Sequence, residues 1–497
     1  MRRLISLSLL LFSVHTHNVN AQEHALDTEF LASFVNEVKS AARLPSGTAV
    51  AVIKDDKIIY QGNFGYQDIE NGIATSENTR FYIASVTKPF TALNYLLDEK
   101  SDRHLASVTL PEMFPELALN GREMVTAKAL LTHTASINNL PLVLATAFSG
   151  EYSSESLELL VASMSTESKE PVGEFKYTNV GYNIYSVYSD RVFQQGWQEK
   201  LQLQVFKPAQ MNATSARRST IKQQQYIAKP YSLKNSDRQA ALYLEKADNT
   251  MHAAGGMYAT ASDLGRFLIA QLNYGVLNGK QVYPADVIER SHVRQVTAEA
   301  SYLDFKRDGY AWGWYTGNYK EQRMLHHFGA FSGTHAHLSF MPESKIGVVV
   351  INNEDFLSPR LTSIIADYVY GTLLGDETIK NTVTERVKQL TDRLSGLDAM
   401  LLKEKEKIQG RRFVLSLPKE HYVGEYNHPL LGSIVVKQNV NQSFDVEWGV
   451  MHSSSTGMNE PEQIRVELEP TSGTVITFNI DEDVTSLTYA GIEFRKI

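Results

Sequence analysis

The chain has 497 residues, of which 43% are hydrophobic and 21% charged, a composition typical of a folded globular protein. Its net charge of −8 and the lack of a basic stripe argue against nucleic acid as a partner. The chain has no cysteine, which excludes disulfides, thiolate catalysis and cysteine-ligated zinc. It also has no His-Glu-x-x-His pattern, so we expect neither a metal ion nor another cofactor.

The N-terminal segment has the pattern of an export signal. Arg2 and Arg3 precede an apolar stretch, residues 4–14, that is too short to span a bilayer. Val19-Asn20-Ala21 resembles a signal-peptidase cleavage site. We expect residues 1–21 to be a signal peptide removed after Ala21, and a secreted or periplasmic protein without an integral membrane segment.

The first folded elements are a helix and a hairpin. Apolar residues recur with helical spacing over residues 27–43. Two β-rich stretches, 48–53 and 57–60, then flank Asp55-Asp56 and predict a β-hairpin.

Ser85 and Lys88 form the most informative local pattern. A spacing of three residues places both side chains on one helical face, one turn apart. A neighbouring amine that takes the serine proton makes the hydroxyl a nucleophile. Pro89 is compatible with the first turn of a helix, where N–H groups are unpaired, so we expect Ser85 at the helix start.

A second pattern is Tyr177-Thr178-Asn179. Next to a lysine, a tyrosine can serve as general acid or base, and an asparagine side chain can hold a substrate amide. The same residues also fit a turn that leads into a helix, with Tyr177 only packing.

The third pattern is His327-Phe328-Gly329, followed by Ala330. A glycine at a strand edge allows close approach of a substrate, and the N–H groups of Ala330 and Ser85 could together form an oxyanion hole. A bulge with a buried histidine is the alternative. A second hairpin, 336–341 with 346–351, follows, while residues 100–260 are mostly helical. Strands at both ends with helices between them predict an α+β fold whose single antiparallel sheet joins strands distant in sequence.

The C-terminal part has two sections. Apolar residues from Val383 to Leu401 step by four and three, which predicts an amphipathic helix ending near Gly410. It either packs on its own domain or dimerises. Beyond Pro418, five alternating segments predict a small antiparallel β domain, barrel-like or a sandwich: 434–437, 444–448, 464–468, 475–480 and 492–495.

The three patterns together resemble the serine β-lactamase and penicillin-binding-protein superfamily, especially its class C β-lactamase-like and esterase-like branch. The order Ser-x-x-Lys, Tyr-x-Asn, His-x-Gly matches that branch. Supporting stretches are Leu130-Leu-Thr-His-Thr134, Ala254-Gly-Gly-Met-Tyr258 and Phe340-Met-Pro342. The segment Tyr422-Val-Gly-Glu-Tyr-Asn-His-Pro429 is similar to the lipocalin-like domain of some of these hydrolases.

The resemblance implies a domain organisation. Residues 1–21 are the signal peptide and 22–375 a β-lactamase-like transpeptidase fold, in which an antiparallel sheet is flanked by a helical region. Residues 376–410 form a helical linker, and 411–497 the small barrel-like β domain.

The resemblance also implies roles for individual residues. Ser85 is the acylated nucleophile, Lys88 accepts and shuttles its proton, and Tyr177 serves the leaving group and then the hydrolytic water. Asn179 holds a substrate amide and His327 lines the opposite wall, and Gly329 and Ala330 are also substrate-binding residues. Which of Lys88 and Tyr177 is the formal base stays open at this point.

One departure affects the expected substrate. True β-lactamases have lysine where this chain has His327, and a histidine is mostly neutral at pH 7. Weaker carboxylate recognition argues against an efficient β-lactamase. We expect a serine hydrolase acting on esters or on peptides containing D-amino acids, such as cell-wall fragments. The alternatives are a penicillin-binding sensor that turns over poorly, and a weak β-lactamase. The sequence does not fix the oligomeric state.

Overall fold

The computed structural model describes residues 25–117, 123–163 and 171–497. The predicted signal peptide, residues 1–21, therefore lies outside the described residues. No helix in the described ranges combines the length and the apolar character needed to cross a bilayer.

Helices occur throughout the first 410 residues. They are α1 Thr28–Ala42, α2 Lys88–Ser101, α3 Leu110–Met113, α4 Ala127–Leu131, α5 Leu140–Leu144, α6 Ser154–Ala162, α7 Val180–Phe193, α8 Trp197–Leu201, α9 Ala261–Leu272, α10 Ala285–Ser291, α11 Ser358–Leu373, α12 Ile379–Ser395 and α13 Leu397–Gln409.

The strands fall into one large sheet, one C-terminal sheet and three small pairs. They are β1 Thr48–Lys54, β2 Lys57–Phe64, β3 Tyr66–Asp68, β4 Ile73–Ala74, β5 Phe81–Tyr82, β6 Tyr258–Ala259, β7 Val276–Leu277, β8 Lys280–Gln281, β9 Val296–Tyr302, β10 Phe305–Tyr310, β11 Tyr315–Tyr319, β12 Gln322–Phe331, β13 Thr334–Met341, β14 Ile346–Asn352, β15 Gly424–His428, β16 Gly432–Gln438, β17 Phe444–Trp448, β18 Met451–Ser454, β19 Thr456–Gly457, β20 Gln463–Glu469, β21 Ser472–Asp481, β22 Asp483–Tyr489 and β23 Ile492–Lys496.

The large sheet is antiparallel and joins the two ends of the first domain. Its order is β2-β1-β14-β13-β12-β11-β10-β9. Strand β1 pairs with β14 in a register that sets Thr48 opposite Asn352. The predicted α+β fold, with one sheet closed by strands distant in sequence, is confirmed.

The two faces of this sheet bury different cores. On β1, Ala49 and Ala51 belong to the core that contains α2 and α9, whereas Val50 and Val52 belong to the core that contains α1, α11 and α12. This alternation follows from the two-residue period of a strand. Because both faces are covered, β1 and β14 are apolar almost throughout.

The start of α2 positions the predicted nucleophile. Lys88 begins the helix and Pro89 lies in its first turn, as expected. Ser85 lies just before it, in a 3₁₀ turn formed by Ala84–Thr87. Ala84 has a left-handed φ of 45°, so the chain bends sharply as it enters this turn.

The long C-terminal helix predicted from the sequence is two helices. Gly396 separates α12 from α13, and the helical spacing of apolar residues continues across the break. The seam from Val383 to Leu394 is buried in the core shared with α1 and α11. The seam therefore packs on its own chain, which is the first of the two alternatives that the sequence left open.

The C-terminal sheet has nine antiparallel strands in the order β18-β17-β16-β15-β23-β22-β21-β20-β19. It is nearly closed, because the N–H of Glu467 on β20 donates to Ser453 Oγ on β18 at 2.8 Å. The predicted all-β, barrel-like architecture is confirmed. The sequence analysis missed four of its strands: β15, β18, β19 and β22.

Candidate active site

Lys88 and Ser85 are in direct contact. Lys88 Nζ lies 3.0 Å from Ser85 Oγ. The lysine is fully buried, while Ser85 is half-buried. Burial without a compensating charge lowers the pKa of Lys88 well below its ordinary value. The amine is therefore predisposed to be neutral and able to accept a proton.

Two carbonyl oxygens complete the surroundings of the amine. Lys88 donates to Asn179 Oδ1 and to the backbone oxygen of Ala254, each at 2.8 Å. Ala254 lies within a tight turn, in which the N–H of Gly255 donates to His252 O at 2.9 Å. The Ala254-Gly255-Gly256 stretch noted in the sequence thus contributes a hydrogen-bond acceptor for Lys88.

Tyr177 lies on the other side of the same pair. Its ring centroid is 4.9 Å from Lys88 Nζ, and its hydroxyl is hydrogen-bonded to Ser85. Desolvation, the first cause, and the neighbouring Tyr315 raise the pKa of Tyr177 above its ordinary value, while the bond to Ser85 lowers it. The phenol is therefore protonated at neutral pH.

Asn179 is the first of the four substrate-binding residues predicted. Its Oδ1 faces Lys88, while its amide nitrogen donates to no residue within the described ranges. The structure thus gives it a contact with the base that the sequence analysis did not foresee. The nitrogen stays available for a substrate carbonyl.

His327 is buried rather than open to a ligand, with 1% of its surface exposed. Its Nδ1 lies 2.8 Å from Phe328 O and its Nε2 lies 3.3 Å from the hydroxyl of Tyr310. Because a carbonyl only accepts, Nδ1 carries the proton and Nε2 accepts from the tyrosine. Burial, together with Lys88, lowers the pKa of His327 well below its ordinary value, so the ring is neutral.

Gly329 brings strand β12 against the 3₁₀ turn of Ser85. A Cβ at this position would lie 2.0 Å from Ile83 O and 3.0 Å from Ser85 N. No side chain fits there, so the glycine is required for the contact. Ala330 follows with its side chain exposed and pairs with His335 on β13.

The edge of β12 is open beside the nucleophile. Strand β11 pairs with β12 only as far as the Tyr315–His326 partners. In the described residues, the stretch from His327 to Phe331 therefore has a strand on one side only. An extended substrate could pair with such an edge.

The site also contains aromatic residues and a histidine that the sequence analysis did not single out. The His133 ring lies 4.6 Å from that of Tyr177, and the N–H of Thr178 donates to His133 Nδ1 at 3.3 Å. Tyr315 stacks on Tyr177 at 6.0 Å. The stretch 130–134, noted in the sequence, contains His133 and could have identified it. No local pattern marks Tyr310 or Tyr315.

Within the described residues, no group of three or more His, Asp or Glu side chains is placed to hold a metal ion. His326, His335 and His337 lie on the buried sheet, and burial lowers the pKa of each one.

Comparison with known proteins agrees with this geometry. The model of the family described as Beta-lactamase matches residues 38–365, well over half of the chain. The chain belongs to the beta-lactamase family. This family lies within the serine β-lactamase and penicillin-binding-protein superfamily, so the predicted relationship is confirmed. Its members are in general serine hydrolases that act through an acyl-enzyme, although some are not catalytic.

Two curated relatives are distant in sequence. Protein flp of Staphylococcus aureus (strain NCTC 8325 / PS 47) is 24% identical over 318 residues, covering 62% of this chain and 59% of that protein. The putative penicillin-binding protein PbpX of Bacillus subtilis (strain 168) is 25% identical over 222 residues, 45% of this chain and 54% of that protein. The matches thus span less than two thirds of either relative.

Solved structures share the fold over nearly the whole chain. The octameric penicillin-binding protein homologue from Pyrococcus abyssi superposes with a TM-score of 0.60 at 20% identity, covering 95% of this chain and 100% of that chain. SurE with D-Leu gives a TM-score of 0.50 at 16% identity, covering 94% and 99%. At such identities the likeness concerns the fold alone.

Proposed function

We propose that this protein is an exported serine hydrolase that forms an acyl-enzyme on Ser85 and cleaves esters or peptides containing D-amino acids. The observation that carries the proposal is the set of three oxygen atoms around Lys88 Nζ. A neutral amine has two N–H groups and one lone pair. The carbonyl oxygens of Asn179 and Ala254 can only accept, so they take both N–H groups. The lone pair is left for the hydroxyl proton of Ser85.

In this mechanism Lys88 is the base of acylation. It removes the Ser85 proton as Oγ attacks the substrate carbonyl, and the N–H groups of Ser85 and Ala330 bind the developing oxyanion. Tyr177 is protonated and touches Ser85, so it passes its proton to the leaving group and takes up in exchange the proton that Lys88 removed from Ser85. Water then attacks the acyl group on Ser85, and the protons move along the same path in the opposite direction.

The direct test is Ser85→Ala, with Ser101→Ala as the matched control. Ser101 is an exposed serine at the far end of the same helix, α2. We expect Ser85→Ala to lose hydrolysis of p-nitrophenyl acetate and labelling by a fluorophosphonate probe, while its melting temperature stays unchanged. Ser101→Ala should match the parent protein. Undiminished hydrolysis by a folded Ser85→Ala protein would refute the proposal.

The same assay distinguishes an enzyme from a penicillin-binding sensor. A sensor would release one equivalent of p-nitrophenol and then stop, whereas an enzyme continues at a steady rate. The contact between Tyr177 and Ser85 favours the enzyme, because a protein that only binds needs no group to release the acyl chain. For nitrocefin we expect slow turnover, since His327 is neutral where β-lactamases have a cation.

A further inference from the structure

The acyl part of a substrate has a defined direction in this site. In the proposed mechanism the N–H groups of Ser85 and Ala330 bind the carbonyl oxygen, and Tyr177 serves the leaving group. The Tyr177 ring lies 6.1 Å from that of His327, which precedes Ala330 on strand β12. The leaving group therefore lies toward His327, and the acyl group extends along β12 in the opposite direction, toward Phe331.

Phe331 lies on the path of the acyl group. A Cβ on Gly329 would lie 3.0 Å from Ser85 N, so this face of β12 faces the nucleophile. Phe331 follows two residues later, and its side chain is therefore on the same face, about 7 Å farther along the strand. Its ring is half-buried and lies 5.8 Å from the ring of Tyr82, three residues before Ser85. Phe331 is thus beside the site.

Phe148 meets this ring from the helical region. It lies in the turn Ala145–Ser149 that follows α5. The centroids of the Phe148 and Phe331 rings are 5.6 Å apart, and both side chains are half-buried. Rings at this distance are in contact. The pair, which we call the aromatic wall, therefore bridges β12 and the helical region at the acyl end of the site.

Lys246 holds the aromatic wall from the interior. The residue is buried, with 3% of its surface exposed. Its amine donates to the backbone oxygen of Ala147, next to Phe148. The same Nζ lies 3.6 Å from the ring centroid of Phe331 and 5.5 Å from that of Phe148. One buried side chain thus contacts both rings and attracts their faces, which opposes their separation.

The C-terminal sheet holds the aromatic wall from behind. Ser149 and Ser332 directly follow the two phenylalanines in the sequence. Ser149 O accepts from the N–H of Val450 at 3.0 Å, and Ser332 Oγ donates to Glu469 Oε1 at 3.3 Å. Both parts of the aromatic wall are therefore joined to one sheet, and they cannot separate without disturbing its docking.

We infer that the aromatic wall limits the length of the acyl group, so that this protein acts on substrates with a short acyl part. The distance of about 7 Å from Gly329 to Phe331 accommodates about two residues of extended chain, or an alkyl chain of similar length. A longer chain has to displace rings that Lys246 and the C-terminal sheet hold in place. The inference rests on the proposed function and narrows it to esters of small acids and to peptides with a short acyl side.

The test compares three esters with one leaving group: p-nitrophenyl acetate, butyrate and octanoate. For each ester kcat/KM reports the steps up to acylation, so differences in deacylation do not enter. In the parent protein we expect the acetate and butyrate values to agree within about tenfold, and the octanoate value to be lower by at least about 100-fold.

Removing either ring should open the aromatic wall. Phe148→Ala and Phe331→Ala should each raise kcat/KM for the octanoate by about tenfold or more and change that for the acetate by less than about threefold. A gain on one ester cannot come from misfolding, which lowers all three values together. Phe331→Leu removes less volume and should give a smaller gain in the same direction.

Phe193→Ala is the matched control. Phe193 is also a half-buried phenylalanine, but it ends α7. It thus lies about 20 Å along that helix from Asn179. This variant should keep the parent protein's ratio between the octanoate and the acetate.

Three outcomes would overturn the inference. They are octanoate hydrolysis as fast as acetate hydrolysis in the parent protein, no gain on the octanoate in any of the aromatic-wall variants, or an equal gain in Phe193→Ala. None of these bears on the acyl-enzyme at Ser85, which is refuted only if Ser85→Ala still hydrolyses p-nitrophenyl acetate.

Discussion

Lys88 illustrates how burial can turn a common residue into a base. Its amine is surrounded by a hydroxyl, an amide oxygen and a backbone oxygen, and it forms no ion pair with any carboxylate in the described ranges. An unpaired ammonium is poorly solvated in such a place, which lowers the pKa of the lysine. A carboxylate partner would instead have raised the pKa of the lysine.

This predicts a specific pH dependence. The protonated lysine cannot accept the Ser85 proton, so kcat/KM should rise by about tenfold per pH unit and level off once Lys88 is deprotonated. Because the pKa of Lys88 is lowered, the midpoint should fall well below that of a free lysine. The measurement is kcat/KM for p-nitrophenyl acetate over a pH series. A midpoint at the ordinary lysine value would contradict the assignment.

Lys88→Arg is the matched control for that profile. A guanidinium stays protonated at every accessible pH. The variant should lose at least about 100-fold in kcat/KM at all pH values, with no recovery in alkali. Recovery would show that another group removes the proton.

At the residue scale, the sequence indicated candidate catalytic groups but not their surroundings. Ser85, Lys88 and Tyr177 follow from short motifs, and the structure brings all three into contact. Tyr310 and Tyr315 were not found, because they come from other strands and have no motif of their own. Only pairing in the sheet places them beside Tyr177.

At the scale of elements, the active site depends on the contact between strand β12 and the turn before α2. Gly329 allows this contact, since a Cβ would overlap Ile83 O. The backbone N–H of Ser85 is thereby held at the open edge of β12. Two elements that are far apart in sequence thus meet beside Ser85.

Gly329→Ala should therefore damage the site. The added methyl group pushes β12 away from the turn, and kcat/KM should fall by about 100-fold as the oxyanion donors separate. Gly396→Ala is the control, because its nearest atom is 4.0 Å away and its φ of −92° suits alanine. That variant should keep full activity and gain up to about 1 kcal/mol in the free energy of unfolding. Full activity in Gly329→Ala would disprove the role of this contact.

The paired helices α12 and α13 show where a periodic pattern is informative and where it is not. The apolar spacing correctly predicted helical structure and a buried face. It could not reveal the break at Gly396, because the apolar residues continue with helical spacing on both sides of it. Nor could it decide between packing on α1 and dimerisation, since both bury the same residues.

At the scale of the whole molecule, the C-terminal sheet docks on the catalytic domain near the Phe331 end of β12. The hydroxyl of Tyr243 donates to Leu468 O at 2.5 Å, and the N–H of His452 donates to that hydroxyl at 3.1 Å. The N–H of Val450 donates to Ser149 O at 3.0 Å. These bonds join strands β18 and β20 and the β17–β18 turn to Tyr243 and Ser149 of the catalytic domain.

Tyr243→Phe tests this docking with little disturbance. The ring keeps its contact with His452, whose ring centroid is 3.8 Å away, while both hydrogen bonds are lost. We expect the free energy of unfolding to fall by about 1–2 kcal/mol. The measurement is urea denaturation followed by tryptophan fluorescence. Tyr274→Phe, an exposed tyrosine of the catalytic domain, should have no effect. Equal stability of both variants would show that the docking bonds contribute nothing.

The sequence by itself determined the local features of this protein: the helical and strand periods, the proline that fits the first turn of α2, and the spacing that brings Ser85 next to Lys88. These depend on interactions between residues that are close along the chain. Only the tertiary structure decided that β12 ends in an open edge beside Ser85 and that His327 is sealed behind Tyr310. Those features depend on the pairing of distant strands and on burial, which are properties of the assembled sheet and not of any one segment.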